Sequence, residues 1–187
     1  MFLADGFARS TLDTLAARMH CSKSTLYALA PSKEELARRV AVHFFSGAAV
    51  RVEAAVGSAD DARARVDAYL RGVAAELRPA SEAFFCDLAR YPRVAAVYRR
   101  NTDIAAARVR DLISDGVATG EFRSVPSGFV ADVVSATMVR IQQREIAATT
   151  GLDDAAAYAA LADLVLHGLD ADRPAPELFV RRPGPAG

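Results

Sequence analysis

The sequence has few residues that could support disulfide, metal or membrane chemistry. Its two cysteines, Cys21 and Cys86, lie far apart inside helix-like patterns, so neither a disulfide framework nor a metal knuckle is predicted. The three histidines share no ligand spacing with each other or with the cysteines. No run approaches the ~18 apolar residues of a membrane span, and no basic segment followed by an apolar stretch opens the chain. We therefore expect a cytoplasmic protein with no metal, no cofactor and no membrane partner.

Motifs of catalysis are missing as well. The sequence has no glycine-rich phosphate loop, no serine elbow and no paired His-Glu helix. The acidic pairs Asp60-Asp61 and Asp153-Asp154 stand at predicted helix starts, where carboxylates cap a helix and complement its dipole. Because no nucleophile, base and orienting group come together, an enzyme is not predicted.

Lysine is almost absent, and its distribution is informative. The 187 residues include 23 basic and 23 acidic side chains, so the chain as a whole has no bulk attraction to nucleic acid. Residues 1–52 nevertheless carry a formal charge of +3, which leaves −3 for the remainder. Lys23 and Lys33 are the only lysines, and both lie in this positive N-terminal region.

Apolar residues recur at helical spacing along most of the chain, and no segment shows sustained period-two alternation, so an all-α protein is predicted. Proline, glycine and capping residues divide the pattern into segments. The predicted helices span residues 11–19, 22–30, 32–56, 60–78, 82–91, 93–118, 127–149 and 153–169. Residues 170–187 hold four of the eight prolines and are expected to form an ordered strap with a disordered tip.

The first two of these helices predict a helix-turn-helix. Thr11 and Ser22 can cap them, and the turn between them is as short as His20-Cys21. The predicted inward faces are Leu12, Leu15, Ala16 and Met19 on the first helix, and Leu26, Leu29 and Ala30 on the second. Two short amphipathic helices joined by so tight a turn must cross steeply, which is the geometry of this DNA-binding motif.

In such a motif the second helix enters the major groove, so its outward residues should be small, polar or basic. Lys23 is expected to neutralise a phosphate, and Ser24 and Thr25 to reach base edges or phosphates. Tyr27 could donate its hydroxyl to the DNA backbone, and Ala28 could touch a thymine methyl group.

The start of the third helix adds a second phosphate contact. Ser32 and Glu35 have the spacing of a capping box, and Lys33 stands beside them. A helix N-terminus with an adjacent lysine is predicted to clamp a DNA phosphate.

These segments together resemble the TetR family of transcriptional regulators. The resemblance rests on Gly6-Phe7, Ser10-Thr11, Ser22-Lys-Ser-Thr-Leu-Tyr27 and Pro31-Ser-Lys-Glu-Glu-Leu36. It implies a DNA-binding domain over residues 1–46, in which Thr11 joins the DNA contacts, and a ligand-binding and dimerisation domain over 47–170. Residues 171–187 would form a proline-rich tail.

The resemblance also implies how such a protein would work. The last two long helices would form a four-helix seam between two copies, and a small molecule bound in the body would shift the third helix. That shift would change the spacing of two recognition helices, which must sit about one DNA turn, ~34 Å, apart.

Two departures from the family pattern lead to expectations of their own. Only Phe2-Leu3-Ala4-Asp5 remain of the family's first helix, so we expect Leu15, Leu26 and Leu36 to be partly solvated and the native chain to begin upstream of Met1. His20 stands where the family has glycine and must adopt a left-handed conformation.

Several side chains in the body are candidates for a ligand pocket, although aromatic pairs such as Phe84-Phe85 are more often core. The candidates are Tyr69, Phe84, Phe85, Tyr91, Tyr98, Arg140 and Gln143. The polar run 140–145 interrupts the apolar face of its predicted helix, and a solvated or dimer-rim stripe is the favoured interpretation of it.

The sequence thus favours a homodimeric repressor that binds a palindromic double-stranded operator and leaves it when a small, largely apolar effector binds. The alternative is an all-α ligand-binding or interaction protein that has lost DNA binding.

Overall fold

The computed structural model describes residues 2–169, and these residues form ten helices and no strand, which confirms the all-α prediction. The helices are α1 Phe2–Asp5, α2 Leu12–Arg18, α3 Lys23–Leu29, α4 Lys33–Gly57, α5 Ala62–Leu77, α6 Glu82–Arg90, α7 Pro92–Ala118, α8 Ser127–Gln142, α9 Glu145–Thr150 and α10 Asp154–Gly168. The predicted strap and tail over 170–187 lie outside the described residues.

Six of the helices begin at a side chain that accepts a hydrogen bond from the backbone N–H three residues later. Such a cap satisfies one of the free N–H groups at a helix start. The capping residues are Thr11, Ser22, Ser32, Asp61, Ser81 and Asp153. The starts of α2, α3, α4 and α10 are therefore where the sequence predicted them.

The long helix α4 connects the N-terminal helices to the body. It packs against α5 and α7, while α10 covers the other side of α5 and α8 lies along α7. The buried face of α4 consists of Leu36, Ala37, Ala41, Phe45, Ala48, Val52 and Val56. Among residues 2–169, α4 is the one helix long and apolar enough to meet the criteria for a membrane span, which is weak evidence because core helices of soluble proteins meet them too.

The single helix predicted over 127–149 is wrong. α8 ends at Gln142, α9 starts at Glu145, and Arg144 between them has a φ of 63°. The left-handed turn directs the Arg144 guanidinium to the buried carboxylate of Asp154 at the start of α10. No proline or glycine stands between Gln142 and Glu145, so no helix-breaking residue in the sequence indicated that α8 ends there.

The N-terminal core is less exposed to solvent than the sequence predicted. Leu15, Leu26 and Leu36 are each no more than 3% exposed, so the expectation that they would be partly solvated is wrong. Phe2 and Phe7 are buried in the same core, with their ring centroids 5.8 Å apart. Phe2 in α1 and Phe7 after it are therefore part of the core that encloses these leucines.

Two residues on the predicted inward faces point outward instead. Met19 and Leu29 are 46% and 48% exposed, so the prediction was wrong for both. Each lies at or near the C-terminal end of a seven-residue helix, where too few turns remain for the apolar face to stay against the core.

A glycine on α7 permits a close contact in the body. A Cβ atom on Gly116 would lie 2.3 Å from Phe122 Cδ2 and 2.9 Å from the Ala62 side chain. Both neighbours are buried, so neither can move freely to make room.

We predict that Gly116→Ala lowers the free energy of unfolding by about 1–3 kcal/mol, because overpacking a dense core costs that much. Gly57→Ala is the matched control, since nothing lies within 4 Å of its Cβ position. It should leave stability unchanged or slightly higher in chemical denaturation. Equal stability of the two variants would contradict this account of Gly116.

Candidate nucleic-acid interface and ligand cavity

Helices α2 and α3 form a compact two-helix unit with a tight turn. The turn closes through hydrogen bonds from the His20 and Cys21 N–H groups to carbonyl oxygens of α2, at 3.2 and 3.0 Å. His20 has a φ of 52°, which confirms the left-handed conformation expected of it. Leu15 and Leu26 bury the inner faces of the two helices, so the outer face of α3 is left to solvent.

The predicted DNA-contacting residues of α3 share that outer face. Lys23, Ser24, Thr25, Tyr27 and Ala28 are all exposed. The Lys23 ammonium is 2.6 Å from an Asp13 carboxylate oxygen in an ion pair open to solvent on both sides. A pair so exposed contributes little to stability, and the lysine remains able to exchange this partner for a phosphate.

The hydroxyl groups at the start of α3 form a small network. Ser22 Oγ is 2.8 Å from Ser24 Oγ and 2.7 Å from Thr25 Oγ1. Thr11 has a similar place at the start of α2, where its Oγ1 is 2.8 Å from Thr14 Oγ1. These hydroxyls are exposed and can both donate and accept, which suits them to phosphate oxygens and base edges.

Lys33 has a more buried position than the sequence suggested. Its ammonium donates to the carbonyl oxygen of Ala8 at 2.7 Å and lies 6.0 Å from the ring centroid of Tyr91. Its contact with a DNA phosphate stays a prediction. In this structure the side chain ties the start of α4 to the segment before α2.

The same N-terminal segment is fixed to α6 by a carboxylate. Asp87 Oδ2 accepts the backbone N–H groups of Phe7 and Ala8 at 2.5 and 2.6 Å. Gly6 has a φ of +69°, and a Cβ there would lie 2.5 Å from Asp87 Oδ2, so glycine allows the close approach. Nothing in the sequence near Gly6 signals this partner, which is 80 residues away. We name the contact of Asp87 with Phe7 and Ala8 the Asp87 clamp.

The body contains a cavity of about 200 Å³ bounded by α4, α5, α7 and α10. Its walls include Phe45, Tyr69, Leu77, Tyr98 and Tyr158. Two of the predicted pocket residues, Tyr69 and Tyr98, therefore line one cavity, which we name the tyrosine cavity. Tyr158 was not predicted as a pocket residue, because its neighbours in the sequence of α10 are apolar and none of them indicates a ligand site.

The other predicted pocket residues lie elsewhere. Phe84 is packed in the core, and Phe85 lines a separate polar cavity of about 370 Å³. The Tyr91 ring packs on Phe7, with 5.5 Å between centroids. Arg140 pairs with Glu145 at 3.0 Å on the surface, and Gln143 lines a groove on the far side of Tyr98.

Two ion pairs border the mouth of the tyrosine cavity. Arg108 on α7 binds Glu53 on α4 at 3.0 Å, and Arg51 binds Glu76 on α5 at 2.5 Å. Glu53, Glu76 and Arg108 line the cavity. Sequence patterns do not distinguish these three residues, since each resembles an ordinary charge on a solvated helix face.

A buried polar cluster joins Tyr98 of the tyrosine cavity with Asp154 and Arg144, which line the polar cavity bordered by Phe85. Tyr98 Oη, Asp154 Oδ2 and Arg144 Nε are buried and have no hydrogen-bond partner in the described part of the chain. Burial raises the pKa of Asp154 to about 6, although the Arg144 guanidinium opposes that shift. Burial also raises the pKa of Tyr98 well above its ordinary value, and the nearby charge of Asp154 adds to the rise.

Helices α8 and α10 present an apolar face to solvent. Phe129, Val133 and Leu164 are exposed on it and border a groove of about 410 Å³. An exposed cluster of large apolar side chains is unusual on a monomeric protein and makes this face a candidate contact surface for another molecule.

No family model matches the sequence, and no curated protein matches it. Several solved structures share its fold. A putative transcriptional regulator from Saccharomonospora viridis in complex with choline has a TM-score of 0.72 at 18% identity, covering 90% of this chain and 91% of that one. PfmR, a TetR family transcriptional regulator from Thermus thermophilus, has a TM-score of 0.63 at 20% identity, covering 90% and 94%.

A third similar structure is the fatty acid degradation regulator FadR from Bacillus halodurans, with a TM-score of 0.65 at 13% identity and 90% of both chains covered. Each of these three similarities covers 90% of this chain. The chain therefore has the fold of TetR-type transcriptional regulators, as its resemblance in sequence implied.

We predict that Asp87→Ala loosens the N-terminal segment. Loss of hydrogen bonds to a charged group costs about 1.5–3 kcal/mol, so amide hydrogen exchange at Phe7 and Ala8 should rise roughly tenfold to a hundredfold. Asp67→Ala, which removes an exposed carboxylate paired with Arg71, is the control. Unchanged exchange at both amides would show that the Asp87 clamp does not hold this segment.

Proposed function

We propose that this protein is a DNA-binding transcriptional regulator that acts as a homodimer and responds to a small molecule. The observation that carries the proposal is the exposed face of α3 in a helix-turn-helix joined to a TetR-type body. Small, polar and basic residues occupy the positions that face the major groove in such a motif.

The charge distribution supports DNA as the partner. The positive charge of residues 1–52 is concentrated in a chain that is neutral overall. Lys23 and Arg39 are exposed, and each is paired with a carboxylate in an open ion pair. Displacing such a carboxylate by phosphate costs little, while release of counterions from DNA favours binding.

A second copy of the chain is proposed to pack against the apolar face of α8 and α10. Two such faces would form a four-helix seam, because the same patch on two copies is self-complementary about a two-fold axis. The seam would hold two α3 helices at the separation of successive major grooves, as a palindromic operator requires.

The tyrosine cavity is the proposed effector site, and a small, largely apolar molecule suits its walls. α4 contributes Phe45 to the cavity and starts at Lys33, beside the N-terminal helices. A ligand that moves α4 in the body would therefore also move α2 and α3, the proposed DNA-binding helices. A repressor would leave its operator when the spacing of the two α3 helices changes.

An all-α ligand-binding or interaction protein without DNA binding is the second candidate. The hydrogen bond from Lys33 to Ala8 favours it, because it engages a basic side chain that was predicted to contact DNA. Selection of duplexes from a randomised pool separates the two candidates. Recovery of a palindromic sequence supports the regulator, and failure to enrich any duplex supports the second candidate.

On a selected duplex, we predict that Lys23→Ala weakens binding to all sequences and reduces the slope of log K against log salt by about one per protomer. Thr25→Ala should in addition change the preferred sequence, because its hydroxyl can reach base edges. Fluorescence anisotropy between 50 and 200 mM salt measures both effects, with Arg110→Ala on the body as the control. Identical losses on selected and random duplexes would remove Thr25 from base reading.

For the dimer, we predict that Leu164→Glu converts the protein to a monomer in size-exclusion chromatography with light scattering. A carboxylate buried in an apolar seam has no partner and costs several kcal/mol. Val50→Glu on α4 is the matched control, because Val50 and Leu164 are 71% and 73% exposed. A wild-type mass equal to a single chain of 19.9 kDa would overturn the proposed seam.

A further inference from the structure

We propose that Arg90 and Arg93, at the junction of α6 and α7, bind phosphate groups of the DNA next to the bases that α3 reads. We name these two residues the arginine patch. The inference rests on the proposed function and adds to it a contact surface on the body, outside the helix-turn-helix. It follows from the charge, the exposure and the position of the two side chains.

The junction of α6 and α7 is strongly positive in a body that is negative overall. Residues 90–100 contain four arginines and no acidic residue, whereas residues 53–187 carry a formal charge of −3. The four are Arg90, Arg93, Arg99 and Arg100, and all of them are exposed. Soluble surfaces usually mix both signs, because like charges held close together repel. An anionic partner would relieve that repulsion.

The arginine patch is free to bind such a partner. Within residues 2–169, the side chains of Arg90 and Arg93 form neither an ion pair nor a hydrogen bond, whereas Arg71 elsewhere on the body is paired with Asp67. The carboxylate nearest in sequence, Asp87, already accepts two backbone N–H groups. A guanidinium presents five N–H donors in a planar fork, which matches the geometry of a phosphate group.

The patch lies at the end of the body that is nearest to the DNA-binding helices. Lys33 at the start of α4 lies 6.0 Å from the ring centroid of Tyr91, the residue before α7. Farther along both helices, Glu53 of α4 binds Arg108 of α7 at 3.0 Å. The two helices therefore run in the same direction, and the start of α7 is beside the start of α4.

A series of neighbouring residues joins this end of α7 to the proposed DNA contacts. Lys33 donates to the carbonyl oxygen of Ala8 at 2.7 Å. Arg9, which follows Ala8, is exposed and stands two residues before Thr11, the cap of α2. Basic side chains thus extend from the start of α2 past the start of α4 to the arginine patch. A duplex carries one negative charge per about 1.7 Å of its axis, so DNA on the outer face of α3 presents several phosphates to this edge.

The expected consequence is an increase in affinity without a change in sequence preference. Phosphate contacts position a protein on the duplex but carry no sequence information. The arginine patch would therefore strengthen binding to selected and random duplexes alike. It would also increase the salt dependence of binding, because each neutralised phosphate releases condensed counterions.

The salt dependence of DNA binding tests the proposal on the full chain. The variant Arg90→Ala/Arg93→Ala is compared with the wild type by fluorescence anisotropy between 50 and 200 mM salt, on a selected and a random duplex of equal length. Each lost contact lowers the slope of log K against log salt by about 0.9, so we expect a fall of about two per protomer and roughly tenfold weaker binding or more on both duplexes.

Arg99→Ala/Arg110→Ala is the matched control. It also removes two exposed arginines of α7, but Arg99 borders a groove on the α8 side and Arg110 lies farther from the start of the helix. The control should keep the wild-type slope. An equal loss in the control would overturn the proposal, because it would reveal a general effect of net charge, and so would equal slopes of the alanine variant and the wild type.

Two further measurements locate the contact. Arg90→Lys/Arg93→Lys should retain most of the slope, because lysine keeps the charge. In ethylation interference, some phosphates whose ethylation weakens binding of the wild type should have no effect on the alanine variant. Identical interference patterns for the wild type and the alanine variant would overturn the proposal.

The outcomes separate this inference from the proposed function. A wild-type chain that binds no duplex contradicts the proposed function and this inference with it. A wild-type chain that selects a duplex, with an alanine variant of equal slope, contradicts this inference alone. If vesicles of phosphatidylglycerol bind the wild type but not the alanine variant, and the DNA slope is unchanged, the patch binds an anionic membrane surface and the proposal is overturned.

Discussion

The contact between the N-terminal segment and α6 is the constraint on which the arrangement of the whole chain depends. One carboxylate oxygen of Asp87 holds two consecutive backbone N–H groups, and Phe7 beside them is packed among the aromatic rings of α6 and its neighbours. These contacts join the N-terminal helices to the body, and the inner faces of α2 and α3 are buried at Leu15 and Leu26.

Two helices connect the body with the segment that precedes α2. α4 contributes Phe45 to the tyrosine cavity and begins at Lys33, which is bound to Ala8. α6 is held at its start by Arg144 through Glu82 and at its middle by Asp87. Both helices therefore reach the segment around Ala8, one through Lys33 and the other through Asp87.

Features set by local sequence could be predicted, and those set by distant partners could not. Helix caps and the left-handed turn at His20 depend on neighbouring residues, so Thr11, Ser22, Ser32 and Asp153 were identified from the sequence. The break at Arg144 depends on a carboxylate ten residues later, and the Asp87 clamp joins segments 80 residues apart. Tyr69 and Tyr98 were found as aromatic residues of the body, whereas Tyr158 and the ion pairs at the mouth require the packing of α4, α5, α7 and α10.

If the apolar face of α8 and α10 forms the proposed seam, it links the folding of this protein to its abundance. A single copy exposes Phe129 and Leu164 to water, and a second copy packed on them would remove both from water. Association of folded chains would then stabilise the folded state by mass action, and the melting temperature would rise with protein concentration. In a cell that makes few copies, dilution would lower both the number of dimers and the lifetime of each chain, which would set a minimum expression level for the proposed regulation.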